Sequence, residues 1–80
     1  MLKQILENYP DEGILIADGF DDAVIGFEVS SMRLIYSVSK CIEILMKDGM
    51  DEVDAQEHFS FNVEGSWVGD QTPIWCHDLI

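Results

Sequence analysis

Ala23-Val24-Ile25-Gly26-Phe27-Glu28, then Ser30-Ser31, then Arg33-Leu34-Ile35-Tyr36, then Ser37-Val38-Ser39-Lys40-Cys41-Ile42-Glu43-Ile44-Leu45-Met46-Lys47-Asp48-Gly49: this run decides the fold. Its first part is apolar and β-branched, which predicts a strand over Ala23–Glu28. The Ser-Ser pair separates it from a second such run at Arg33–Tyr36. A hairpin with a loop of about 4 residues and antiparallel pairing is the economical reading. Ser37 then suits an N-cap, because its hydroxyl can accept a bond from a free backbone N–H of the first turn. Val38, Cys41, Ile42, Leu45 and Met46 follow at i, i+3, i+4, i+7 and i+8, the stripe of a helix buried on one side. The stripe ends at Asp48, with Gly49 placed to close the helix in the left-handed region.

Working outward toward the carboxyl end, Asp51 reads as the cap of a second helix and Asp54 as its capping-box acid. Acidic Glu52 lies beside the positive end of that helix dipole. Met50 and Ala55 take the positions of a hydrophobic staple, and Val53, Gln56, Phe59 and Val63 read as the inward stripe of a helix over residues 52–63, stopped by Gly65. Residues 66–73 read as an irregular loop, and Ile74-Trp75-Cys76 as a last short strand. Toward the amino end, Leu2, Ile5, Leu6 and Tyr9 predict a short helix over residues 2–8, terminated by Pro10. Asp11-Glu12-Gly13 reads as a turn, Ile14–Ala17 as either a short strand or a loop packed on the core, and residues 18–22 as a second turn. The expected fold is a single α+β domain over residues 1–80: a β-hairpin plus a short third strand, two consecutive helices packed on one face, and a short N-terminal helix.

Charge is the strongest functional signal. The 80 residues contain 16 Asp and Glu against 4 Lys and Arg, a formal net of −12. Small domains stay soluble with a net charge of about 2 to 8, so the excess adds self-repulsion that solubility does not require. The four cations, Lys3, Arg33, Lys40 and Lys47, all precede residue 48. Residues 11–32 hold Asp11, Glu12, Asp18, Asp21, Asp22 and Glu28, and residues 51–80 hold Asp51, Glu52, Asp54, Glu57, Glu64, Asp70 and Asp78. These acids alternate with large apolar residues, which places them on a folded surface rather than in a disordered tail. An anionic surface disfavours direct contact with nucleic acid or anionic lipid, both of which select Lys and Arg clusters. No secretory signal pattern or membrane-length apolar run is present, and two cysteines without Cys-x-x-Cys spacing fit a reduced cytoplasmic setting.

Candidate chemistry is sparse. Asp18-Gly19-Phe20-Asp21-Asp22 lacks the alternating acids and distal Glu of a calcium loop. His58 and His77 belong to no metal-ligand spacing, and Cys76 and His77, adjacent in a strand, would point to opposite faces. Cys41 falls on the apolar stripe and reads as a small buried hydrophobe. The expectation is therefore a protein with no catalytic residue, metal or cofactor. Asn62, Ser66, Trp67, Asp70, Gln71 and Thr72 form the most distinctive cluster. There Trp67 reads either as an interface anchor or, with Trp75, as a plug at the edge of the core while Asn and Thr side chains bond loop backbone.

Phe20-Asp21-Asp22-Ala23-Val24-Ile25-Gly26, Tyr36 leading into Lys40–Leu45, and above all Phe61-Asn62-Val63-Glu64-Gly65-Ser66-Trp67-Val68-Gly69-Asp70-Gln71-Thr72-Pro73 together resemble a family of small acidic proteins of bacteriophages and prophages. That resemblance covers residues 19–75 and implies a host cytoplasm as the working compartment, but it carries no catalytic or binding residue with it. The leading expectation is a phage-type acidic protein that occludes the nucleic-acid-binding surface of a basic host protein, such as a defence nuclease or CRISPR effector. Its partner-facing residues would be Asp18, Asp21, Asp22, Asp51, Glu52, Asp54, Glu57, Glu64, Trp67 and Asp70. Mimicry of a nucleic acid requires that the acids share one face. The alternative is a structural or regulatory interaction module that uses the Trp67 loop, with self-association to a homodimer left open. A small enzyme or metal protein without a motif is the least supported class.

Overall fold

The hairpin forms between β1 (Val24–Glu28) and β2 (Arg33–Ser37), paired antiparallel from Val24 opposite Tyr36 to Glu28 opposite Arg33. The computed structural model of the protein describes residues 1–10 and 12–78. Asp11, the first residue of the expected turn, lies outside the described residues. The register shifts between Val24 and Gly26, so Ile25 is a bulge residue. The loop is residues 29–32, with Met32 in the left-handed region at φ 55°. Glu28 closes it: its carboxylate accepts from the hydroxyl of Ser30 and from the backbone N–H groups of Ser30 and Ser31. Those bonds, the Ser30 hydroxyl first, hold the Glu28 carboxyl down at about 2.

Strand and helix meet at Ser37. It is the last residue of β2 and the N-cap of α2 (Val38–Lys47), where its buried hydroxyl accepts the Lys40 N–H at 3.1 Å. Gly49, at φ 112°, ends α2 in a conformation that a Cβ resists, and Met50 leads into α3 (Glu52–His58). Asp51 caps α3 by accepting the Asp54 N–H at 2.8 Å.

Sequence and structure part company along α3. The α-helix ends at His58, and residues Phe59–Glu64 continue as a π-helical segment. The inward residues are Ala55 and Phe59, whereas Val53 is 63% exposed and Gln56 is also on the surface. At 100° per residue Val53 falls well away from the line through Ala55 and Phe59, and the small Ala55 permits close packing on α2. The wider π turn changes the phase again, leaving Val63 half-buried and Phe61 82% exposed.

β3 (Ile74–Cys76) adds to β2 in parallel, with Trp75 opposite Tyr36, to give a mixed sheet in the order β1-β2-β3. Parallel pairing follows from the helical crossover between the two strands. Helix α1 (Leu2–Asn8) packs on β1 through buried Ile5 and partly buried Leu2 and Tyr9, with the Tyr9 ring 4.9 Å from that of Phe27. Ala23 opens no strand. It ends a 3-10 turn over Asp21–Ala23. Residues 14–17 form no strand either; they are a loop laid on the core, where the Ala17 N–H donates to the Tyr36 hydroxyl at 2.9 Å. The core beneath is an aromatic row. Phe59 presents an edge-to-face contact to Phe20 at 6.4 Å and to Trp75 at 5.3 Å, and Trp75 in turn lies 5.1 Å from Tyr36. The architecture is the α+β domain expected.

Candidate functional site

Two of the concave surfaces among the described residues flank this core. One is a groove of about 570 Å³ between α2 and α3, extended by the π-helical segment and the carboxyl-terminal residues. The other is a cleft of about 420 Å³ between residues 15–20 and residues 62–75, beneath the loop that carries Trp67.

The expected partner-facing acids separate among several surfaces. Glu52 and Glu64 line the α2/α3 groove, Asp18 lines the cleft, and Asp21 and Asp22 border a shallow hollow beside α1. Asp54 and Glu57 are exposed on the side of α3 away from α2, and Asp70 is exposed in the 66–73 loop. Asp51 is exposed too, but one of its oxygens is engaged as the helix cap. The carboxylates therefore do not share one face.

The α2/α3 groove gathers two acids that were not among the candidates, Glu43 and Asp78. Glu43 was reachable from helical spacing, since it adjoins Ile42 and Met46 on one side of α2. Asp78 was not, because only the fold brings it across 41 positions of chain to the start of α2. There its carboxylate accepts from the Ser37 hydroxyl, from the Ser39 N–H at 3.1 Å and from the Ser39 hydroxyl at 2.9 Å. These bonds, Ser37 foremost, hold the Asp78 carboxyl down at about 2. Asp78 in turn adds to the burial that pushes the Cys41 thiol up to about 12. Cys41 is wholly buried and stays a neutral thiol at physiological pH, which removes it as a nucleophile.

His77 pairs with Glu64 at the groove edge, a contact neither residue's sequence neighbours signal. Among the described residues no Lys or Arg forms an ion pair with an Asp or Glu, and no group of three His, Cys, Asp or Glu side chains is placed to hold a metal ion. Arg33 instead donates through Nε to the Thr72 carbonyl at 2.6 Å, fixing the loop that follows the π-helical segment.

That loop is built around Thr72. Its buried hydroxyl accepts the Val68 N–H at 2.9 Å and donates to the Gly69 carbonyl at 2.6 Å, while Gln71 reaches the Glu12 carbonyl at 3.0 Å. The expected side-chain bonding to loop backbone holds for Thr72. Asn62 differs: its side chain meets His58 at 3.4 Å, and its carbonyl accepts the Ser66 hydroxyl. The two tryptophans also divide. Trp75 belongs to the core, with its indole N–H buried and without an acceptor among the described residues. Trp67 is not a plug: it is 67% exposed, alongside Val68 at 64%. A loop braced by Thr72 from beneath can hold its Trp outward because the aromatic row fills the core without it.

No described helix is long and apolar enough to cross a membrane. Compared with known proteins, the chain matches no family model, no curated protein and no solved structure.

Proposed function

We propose that the chain is an acidic interaction protein that binds a basic surface of another protein, of the kind that nucleic-acid-binding proteins present, and keeps nucleic acid from it. The observation that carries this reading is the state of the carboxylates: most are exposed, and among the described residues none is neutralised by Lys or Arg. A net of −12 left uncompensated is a field that attracts cationic partners and speeds their approach. Because the acids are spread over several surfaces, the match is to a partner's positive field rather than to a phosphate-spaced row. The resemblance of residues 19–75 to phage-type acidic proteins supports a partner in a host cell, with modulation of a defence nuclease or CRISPR effector as the form it takes. The test is capture of partners from host lysate on the tagged protein, with salt elution and competition by duplex DNA. Recovery of a basic nucleic-acid-binding protein, released by both, supports the reading. A partner that resists salt and DNA refutes it.

A second reading rests on Phe61, Trp67 and Val68, which are 82%, 67% and 64% exposed. Large apolar side chains on a braced loop and an adjoining π turn are what an interface anchor looks like. On this reading Trp67→Ala abolishes partner binding, whereas charge reversal on α3 leaves it intact.

A further inference from the structure

We infer that the α2/α3 groove is the docking site for an amphipathic helix with basic flanks, a proposal that rests on the reading that the partner is basic. The floor of the groove is apolar: Val38, Ile42 and Met46 run along α2 at i, i+4 and i+8, and the edge of the buried Phe59 also lines it. Of α2, the core buries Cys41 and Leu45 fully and takes one side of Val38 and Ile42, which stay half-buried, and Met46 remains 41% exposed. The outer margin of the stripe that folds the helix is thus left open to the groove. Along that margin an α2 of 10 residues offers about 15 Å, room for nearly three turns of a partner helix.

The rim decides the charge of the occupant. Glu43, Glu52, Glu64 and Asp78 line the groove together with His77, the partner of Glu64, and among the described residues no Lys or Arg does. Lys40 and Lys47 line a neighbouring hollow with Ile44 and Asp48, and Glu43 stands between that hollow and the groove, bordering both. Asp78 is pinned by Ser37 and Ser39, so its negative charge is fixed at the edge of the groove. An uncharged helix seated here would take water from carboxylates and return no counter-charge, which is costly. A second copy of this chain brings another −12 and is repelled. A helix with Leu-like residues on one side and Lys or Arg along its margins satisfies both floor and rim.

The experiment titrates the isotope-labelled full chain with three synthetic peptides of about 18 residues, followed by backbone amide shifts. The first is a Leu/Lys peptide patterned as an amphipathic helix, the second its scrambled isomer of equal charge, and the third a patterned Leu/Gln peptide. The patterned basic peptide is expected to bind at least about tenfold more tightly than either of the others, with shifts at Val38, Ile42, Met46 and Ser60. Met46→Lys places a cation in the floor at a last-turn position that favours one, and it weakens binding by about tenfold with the fold retained by circular dichroism. Glu52→Gln weakens it by about two- to fivefold. Equal binding of the patterned and scrambled basic peptides, with shifts scattered over the acids, overturns the groove while leaving the basic-partner reading in place. Tight binding of the Leu/Gln peptide overturns the basic-partner reading and the charge assigned to the occupant. Binding of none overturns both, as do concentration-dependent groove shifts without peptide, which would mean that a second copy fills it.

Discussion

Tyr36→Phe isolates a single bond that ties the amino-terminal third of the chain to the sheet. Tyr36 is fully buried, and its hydroxyl accepts the Ala17 N–H at 2.9 Å. Phenylalanine keeps the ring, its 5.1 Å approach to Trp75 and the core volume, so no cavity term enters. What is lost is one hydrogen bond, worth about 0.5–1.5 kcal/mol net, with a further cost because the part-buried Ala17 N–H is left without an acceptor. A loss of about 1–2 kcal/mol lowers the melting temperature of a domain this size by roughly 4–8 °C per kcal/mol. The effect should also be local: Ala17 loses protection from hydrogen exchange while amides of α2 far from the bond change only with global stability. Alkaline titration adds a signed check. Burial raises the Tyr36 hydroxyl above 10, so the folded state holds the proton more tightly than the unfolded chain. The contribution of this group is complete below pH 10 and is lost as pH rises above it, in wild type but not in the variant. Calorimetry and exchange read by NMR decide the matter. A melting temperature within about 1 °C of wild type, with Ala17 exchange unchanged, would refute the role given to this bond.

Phe59→Leu keeps an apolar side chain in the core but removes two edge-to-face contacts, with Phe20 and Trp75, and should cost about 1–3 kcal/mol by chemical denaturation. Gly49→Ala should cost about 1–2 kcal/mol from backbone conformation alone, since apart from its chain neighbours no atom of the described residues lies within 4 Å of the added Cβ; an unchanged denaturation midpoint would contradict the φ of 112°. Acid sensitivity should come from Glu28 and Asp78, both held at about 2 and so below their unfolded values near 4. Their contribution is present above that unfolded value and disappears as pH falls from about 4 toward 2, and a melting series over this range should be flatter for Asp78→Asn.

Much of the fold was legible because local signals agreed with tertiary demands. The Ser37 cap, the Val38–Met46 stripe and the Gly49 stop describe one helix whichever way they are read, and the two β-branched runs beside Ser30-Ser31 leave little but a hairpin. The inward line of α3 was less legible because two periodicities meet there. Val53 and Gln56 fit an apolar or near-apolar spacing with Phe59, but the π turn and the small Ala55 set the packing instead. Residues 14–17 read as a strand or a core-packed loop by composition alone; they join neither edge of the sheet, and the Ala17 N–H finds in the Tyr36 hydroxyl the acceptor a ladder would have supplied. The candidate site was legible in residue type and not in place. Composition marks a surplus of carboxylate, but Glu43 and Asp78 join Glu52 and Glu64 only through the crossover that sets α3 and the carboxyl-terminal residues beside α2.

The same geometry explains how so small a domain tolerates so much negative charge. The acids divide by what their oxygens touch. Glu28, Asp51 and Asp78 accept backbone N–H groups, at a hairpin loop, a helix start and the start of α2, so these charges stabilise the fold that the net charge opposes. Others, including Asp54, Glu57 and Asp70, stand exposed, where water and salt screen them at distances beyond about 10 Å. Glu43, Glu52 and Glu64 border the apolar floor of the groove as Asp78 does, but accept no backbone N–H among the described residues; beside that floor screening is weaker and a counter-charge has more to offer. Mutation should separate the three. Neutralising Asp51 or Asp78 lowers stability, neutralising Glu57 changes neither stability nor binding beyond a small shift in salt dependence, and neutralising Glu43 and Glu52 together weakens a cationic partner while changing stability little, because the repulsion relieved offsets the loss of Glu52 from the positive end of the α3 dipole and no backbone bond is lost. If the Glu43 and Glu52 pair proved as necessary to folding as Asp78, the distinction between charge that builds the domain and charge held ready for a partner would collapse.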